Sequence, residues 1–463
     1  MDLLDKRGGR IALSRLGSGI LAEAGRSADD SLLVVFEDRE TGLLRVVHHE
    51  VVIRFKPAVP ERRRRAILGG FGFAVLRRNA FIPDQMVVRH PEGRYAGEDL
   101  IEISNRLIVL DEVALATPNF VSQYRRQAPP SILPQEWHLG SQSLDILTAW
   151  KLTTGRRKVV VAVLDDGVDV DHPNLRANLW RNPDPSARDQ IGRDFFLPDA
   201  HPDHFNPRPK KFRYPFDRTK GNDIHGTACA GLIAAGGIGR GSVGVAPGCR
   251  LLPVKIFHGD DLAPDERVAD AIRYAASHAD VLSCSWTGGG PDVEQALEDA
   301  GGGRQGLGAA VFCAAGNDFG AAVGFPARVP HAIAVGASTD QRERADYSNV
   351  GPEIAVVAPS SGGVRSLFVS DLSLPGRGFN PCDLYANSFG GTSAATALAA
   401  GVGALVLSVH PDLCREELKE LLQATAGPMG EDSDEVGTGQ VNAGRAVEEA
   451  VRLVRRPGRA DND

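Results

Sequence analysis

The chain has 463 residues, 42% of them hydrophobic and 24% charged, with a formal net charge of -7. That length and apolar content suffice for one large domain with a sizeable core plus a smaller one, while the acidic balance argues against general nucleic-acid binding. No charge-free apolar run before the Ser393 helix approaches the length of a membrane span, and that helix is short and rich in small residues, so no transmembrane span and no membrane partner are expected; six cysteines without a CxxC read as thiols rather than a disulfide framework or a zinc site.

The N-terminal stretch MDLLDKRGGRIALSRLGSG lacks the apolar core of a secretory signal; taken as the true start, it predicts a cytoplasmic product. Residues 1–44 alternate weakly and read as a β-rich leader. From His49 the pattern sharpens into a strand (Glu50 to Phe55), a helix (Pro60 to Leu68), strand-like runs (Phe73 to Leu76, Gln85 to Arg89), a second helix (Gly97 to Ile108) and a last strand (Glu112 to Ala116). This is a compact α+β unit of βαββαβ type. Arg62 to Arg65 read as the solvated face of a surface helix. The unit closes at Arg125-Arg126 and the Pro-containing linker Gln127 to Ser131, which marks a domain boundary near residue 128.

A larger domain follows, over residues 129–455, with a polar tail at 456–463. Lys158 to Leu164 (KVVVAVL) is a continuous apolar run rich in β-branched valine, of the kind found in a central parallel strand, and it ends in Asp165-Asp166-Gly167. Functional groups gather beyond the carboxyl ends of such strands, and an acidic pair there suits a catalytic role, a metal site or a simple turn. The Pro-rich basic segment Phe195 to Asn222 reads as a solvated insertion, and the HPDH spacing of His201 and His204 within it is a weak metal signal. Next comes His225, at the start of a small-residue helix (HGTACAGLIAAG). The glycines of Gly237 to Gly244 follow a helix rather than a strand, so they read as a turn and not a dinucleotide loop.

Two further strands end in glycine or asparagine: Asp280 to Trp286 before Thr287-Gly288, and Ala309 to Ala315 before Gly316-Asn317. Cys229, Cys284 and Cys313 sit in apolar or small-residue segments and read as buried free thiols. Finally Gly390-Gly391-Thr392-Ser393 opens the run Ala394 to Val409, which has almost no polar face and so belongs in a core. A serine in the first turn of such a helix sits among free N–H donors at the positive end of the dipole. It becomes a nucleophile only if a base takes its proton and a third group orients that base.

VAVLDDGVDVDHPNL, HGTACAGLIAA, AAGN and GGTSAAT, in that order, resemble the subtilisin-like serine proteases, in which acid, base and nucleophile follow one another in this sequence. The resemblance implies an α/β fold, a three-layer sandwich with a central parallel sheet, preceded by an α+β propeptide-like domain over residues 45–128. It implies that Ser393 attacks the scissile carbonyl, that His225 moves the proton, that Asp165 orients the imidazole, and that Asn317 contributes to an oxyanion hole. Ser285, Trp286, Thr287 and Gly288 resemble the strand that pairs with substrate; Ala314, Ala315 and Gly316 resemble the opposite wall of the pocket, and Gly324 its floor.

Asp165-Asp166-Gly167, Ser283 to Trp286 and Leu398 to Gly401 resemble the kexin and furin branch, known for cutting after paired basic residues and for calcium. Here Thr287 to Gly290 are uncharged and the first acid is Asp292. No cofactor is required by the resemblance, and it leaves room for calcium through carboxylates such as Asp194. The implied function is a serine endopeptidase made as a zymogen, with polypeptide substrates and its own propeptide as intramolecular inhibitor. The alternative is a non-catalytic peptide-binding or scaffold protein that keeps the fold.

Overall fold

The structure, a computed structural model, describes residues 2–4, 10–19, 33–38, 44–95, 97–122, 125–126, 136–210, 223–236, 242–258, 263–362, 367–370, 385–430 and 432–455. The predicted linker Gln127 to Ser131, most of the loop after Lys210, residues 237–241 and the tail lie outside them. The chain divides into two compact units, one of residues 1–124, 260–274 and 288–296, the other of residues 125–259, 275–287 and 297–463.

In the first unit the strands are β1 (Asp2–Leu4), β2 (Arg10–Gly19), β3 (Leu33–Asp38), β4 (Leu44–Phe55), β5 (Ala74–Arg78), β6 (Gln85–Arg89) and β7 (Val113–Ser122), with helices α1 (Glu61–Gly70) and α2 (Glu98–Ile108). The order is β1-β2-β3-β4-β6-β5, and β7 also pairs with β4. β1, β2 and β3, from the stretch read as a leader, therefore belong to the same sheet. The 12-residue β4 is the axis: it pairs with β3, β6 and β7, and its Val51, Ile53 and Phe55 join Leu100, Ile101 and Leu107 of α2 in one core. β7 runs six residues past the predicted Ala116, because Pro118, Phe120 and Val121 continue the pairing with β4.

The second unit begins at β8 (Arg125–Arg126) and continues through α3 (Ile146–Trp150), β9 (Val160–Asp165), β10 (Arg193–Asp194), α4 (His225–Ala234) and β11 (Arg250–Lys255). The chain passes through the first unit over β12 (Ala263–Pro264) and most of α5 (Asp265–His278), returns for β13 (Val281–Cys284) and β14 (Trp286–Thr287), re-enters the first unit for most of α6 (Pro291–Asp299), and continues in the second with β15 (Ala310–Ala314), β16 (Ile333–Ser338) and β17 (Ile354–Pro359). The chain closes with β18 (Leu367–Ser370), β19 (Tyr385–Phe389), α7 (Gly391–Val409), α8 (Arg415–Thr425), α9 (Ser433–Val436) and α10 (Ala443–Arg455).

Seven strands form one parallel sheet in the order β10-β11-β9-β13-β15-β16-β17. Strands buried on both faces need continuous apolar runs, and every residue of β9, β15, β16 and β17 is buried. α7 is apolar all round and is buried from Gly391 to Ser408. It is long and apolar enough to cross a membrane, but 94% of that window is buried inside the protein, as befits a core helix. Gly401 and Gly403 let it press close: a methyl group at Gly401 would come within 2.8 Å of Val245 Cβ, and one at Gly403 within 2.8 Å of the Phe312 ring.

The first unit also holds a buried polar cluster. Asp292, on α6, accepts from Gln85 Nε2 of β6 and from Arg273 Nη2 of α5, each at 3.1 Å, while its Oδ2 has no hydrogen-bond partner among the described residues. Burial pushes its carboxyl up to about 6, against the pull of Arg273 and with the Asp270 charge adding to the rise. A carboxyl whose folded value is raised from the ordinary 3.8 stabilises the fold only while protonated, so this contribution is lost as pH rises through about 6. Asp292→Asn is accordingly expected to raise stability at pH 7 by on the order of 1–3 kcal/mol and to leave it nearly unchanged at pH 4. Denaturant midpoints at the two pH values check this; an equal change at both would assign the effect to packing.

Candidate active site

Three elements of the second unit converge. β9 delivers Asp165 at its carboxyl end, α4 starts on His225, and α7 carries Ser393 in its first turn. All three side chains are buried, at 1%, 3% and 0% exposure. His225 Nδ1 lies 2.8 and 2.9 Å from the two oxygens of Asp165, a bidentate contact that fixes the ring's orientation. The edge of Phe389 packs on the same ring at 5.3 Å, and Cys229 Sγ lies 3.8 Å from Nδ1 one helical turn along. His225 Nε2, the opposite nitrogen, is buried with no partner among the described residues.

Burial alone would disfavour the imidazolium, but the Asp165 carboxylate and the neighbouring Cys229 outweigh it and hold the His225 ring well above its ordinary 6.5. The sign for reactivity follows directly, because an imidazole works as a base only when neutral. Any chemistry routed through His225 should fade as pH falls.

The second aspartate of the pair has a separate task. Asp166 accepts from the backbone N–H groups of His225 at 3.1 Å and Gly226 at 2.7 Å. α4 has no side-chain cap of its own, since its N-cap position is Ile224. Asp166 thus caps the helix from another strand end and complements its dipole. The acidic pair noted in the sequence divides into one carboxylate for the ring and one for the helix.

Ser393 and Ser285 exchange hydrogen bonds: Ser393 Oγ donates to Ser285 O at 3.1 Å, and Ser285 Oγ donates to Ser393 O at 3.0 Å. This explains why the single strand expected over Asp280 to Trp286 is divided. β13 stays in the parallel sheet, Ser285 turns to α7, and Trp286-Thr287 pair antiparallel with Arg126-Arg125 of β8. The Trp286 side chain points the other way; its Nε1 donates to Leu164 O at 3.0 Å and its ring packs on Phe257, wholly buried. Gly288, with φ +126°, follows as the first residue of the other unit.

Asn317 follows the β15 carboxyl end. Its Oδ1 accepts from both the backbone N–H and the Oγ1 of Thr392, each at 2.9 Å. Two donors on one oxygen fix which way the amide faces and leave Nδ2 as the end free to donate elsewhere. Thr392 Oγ1 also accepts from Gly316 N at 3.3 Å, tying the AGN turn to α7. Ala314 and Ala315 are fully buried beside it, Gly324 N donates to Ala315 O at 2.8 Å, and a methyl group at Gly324 would meet Thr287 Cγ2 at 3.1 Å. The residues read as pocket walls and floor are therefore in mutual contact. Thr392 carries no warning of its anchoring role in the sequence, because that role depends on two turns 75 residues apart meeting.

Other candidates resolve as structural. His204 is buried against Phe195 and Phe205, with Nδ1 3.1 Å from Leu197 O, and His201 caps a short turn. Asp194 accepts from Phe196 N at 2.9 Å and Leu197 N at 3.2 Å. Burial pushes it up to about 6 although the Lys255 ammonium lies nearby.

Residues 156–443 match the sequence profile described as the Subtilase family. The chain is similar to a calcium-dependent protease of Trichormus variabilis, 32% identical over 443 residues, covering 83% of this chain and 61% of that protein. It thus spans less than two thirds of that relative's length. It is also 32% identical to subtilisin NAT of Bacillus subtilis subsp. natto over 295 residues, or 63% of this chain and 66% of the relative. Among solved structures, fervidolysin from Fervidobacterium pennivorans, described as a keratinolytic enzyme related to subtilisin, matches with a TM-score of 0.63 at 20% identity, covering 86% of this chain and 61% of that one. At that identity the likeness is one of fold.

Proposed function

The chain belongs to the subtilase family, and from that premise we propose that it is a serine endopeptidase working through Ser393, His225 and Asp165. The observation that carries the reading is the buried Asp165–His225 pair, whose ring presents an unpartnered Nε2 in the unit whose core helix bears Ser393. In the mechanism that follows, the Ser393 hydroxyl exchanges its resting acceptor, Ser285 O, for His225 Nε2. The oxygen then attacks the scissile carbonyl while the ring takes the proton and later passes it to the leaving amine. Asp165 keeps Nδ1 protonated and offsets the charge of the imidazolium. Asn317 Nδ2 and the Ser393 backbone N–H serve the oxyanion, charge that exists only in the tetrahedral state.

Substrate is read as an added antiparallel strand along Trp286-Thr287, a reading supported by the pairing of those residues with Arg126 and Arg125 in the structure. The same pairing supports a zymogen, in which residues 45–128 end in a segment lying where substrate would and act as intramolecular inhibitor. It also motivates the kexin- and furin-like preference for paired basic residues, since Arg125-Arg126 is such a pair.

The test is a fluorophosphonate probe on the purified chain, read by mass spectrometry. Labelling confined to Ser393, and increasing with pH across the His225 titration, is the expected result; an unlabelled, fully matured sample would instead favour the scaffold reading. Maturation gives a second expectation. Wild type should be clipped once between Tyr124 and Ala128 while Ser393→Ala stays full length, as N-terminal sequencing will report. Equal clipping of both forms would remove self-processing from the proposal.

A further inference from the structure

Three parallel strands bring a row of charged side chains together. By register Lys255 of β11 stands between Asp194 of β10 and Asp165 of β9. Cα partners in parallel strands share a face, so all three side chains point to the same side of the sheet. Lys255 is 1% exposed, and its Nζ donates to Asp223 Oδ2 at 2.5 Å. Asp223 is wholly buried, also accepts from Lys210 N at 2.7 Å, and has His258 Nδ1 within 2.9 Å. It precedes His225 by two residues, where the chain enters α4. The backbone around Lys255 is tied in as well, since Ile256 N donates to Asp165 O at 2.8 Å and Phe195 N to Lys255 O at 2.7 Å.

A lysine is seldom this deeply buried unless its charge is matched. Here the ammonium is bonded to one carboxylate, and its strand position lies between two more, one of which is the partner of the His225 ring. Building on the triad reading above, we propose that Lys255 is a positioning residue for His225: its ammonium, locked onto Asp223, is the fixed positive charge that offsets the surrounding carboxylates and keeps the imidazole from being held permanently protonated. The groups that face His225 are Asp165 from β9, Asp166 from the turn after it, which accepts from the His225 backbone N–H, and Cys229 from α4 itself; Asp223 lies two residues before it in the chain. Asp194 and His258 bear on it through Lys255 and Asp223. Asp223 stays ionised in this setting, since the hydrogen bond from His258 and the Lys255 charge overcome its burial and bring it to about 2.

The rate of fluorophosphonate labelling of Ser393 as a function of pH tests this without requiring a known peptide substrate. Lys255→Met removes the positive charge and should move the acidic limb up by on the order of half a pH unit. Asp223→Asn removes a negative charge and frees the lysine's field, so it should move the limb down by a similar amount. The double variant should return near wild type. Opposite shifts that cancel cannot come from loosened packing, which would lower the rate at every pH; Lys255→Gln, which also removes the charge, serves if the Met variant fails to fold, and Lys255→Arg, which keeps it, should leave the limb in place. An acidic limb that stays in place in folded single variants overturns the inference. Absence of labelling in matured wild type overturns the triad reading itself.

Discussion

Ser393→Ala is expected to lower peptide hydrolysis by on the order of 10⁵- to 10⁶-fold while the protein stays folded. The substitution deletes a single oxygen within a buried helix made mostly of Gly, Ala, Leu and Val. What the fold loses is the Ser393 Oγ donation to Ser285 O, and one buried hydrogen bond of this kind contributes about 1 kcal/mol. Chemistry, in contrast, loses its attacking atom. Turnover of a denatured protein substrate and the thermal midpoint should be measured on the same preparation. Residual turnover within tenfold of wild type would place the nucleophile elsewhere, and a collapsed midpoint would mean that the Ser285–Ser393 exchange matters to folding more than its two hydrogen bonds suggest.

Asn317→Ala is expected to lower kcat by on the order of 100- to 1000-fold with KM changed little, because a donor aimed at a developing oxyanion is engaged in the transition state and not in the ground state. Thr392 sharpens the expectation. Its two donations to Oδ1 commit the amide to presenting Nδ2 outward. Asn317→Asp, almost the same in shape, replaces that donor with an acceptor and should lose at least as much rate as the alanine variant. Steady-state kinetics on a short chromogenic peptide separate the cases: if the effect falls mainly on KM, Asn317 is a contact to bound substrate and not an oxyanion donor.

Much of the second unit's architecture is readable along the chain. The run Val159 to Leu164 is apolar without interruption and mostly valine, and it is found in the middle of the parallel sheet between β11 and β13. Ala394 to Val409 has no polar face, and it is found buried at the centre. Such segments can satisfy themselves in only one environment, so local composition is sufficient. Residues 1–44 are different. Their alternation is weak, and the strands there take their register from β3 and β4 pairing across the sheet, which no local window contains.

For the site, residue types and chain order were determined by the sequence alone: an aspartate at a strand's carboxyl end, a histidine and a serine at two helix starts, an asparagine after a glycine turn. Side-chain chemistry is a property of each residue, and motif spacing keeps it with the right local turn. Only the tertiary structure decided how these residues share their work. It assigned Asp165 to the ring and Asp166 to the helix cap, bound Asn317 to Thr392, turned Ser285 onto Ser393, and set Lys255 between two aspartates. Each of those choices is fixed by register between strands and helices far apart in sequence, and register is set by the packing of the whole core.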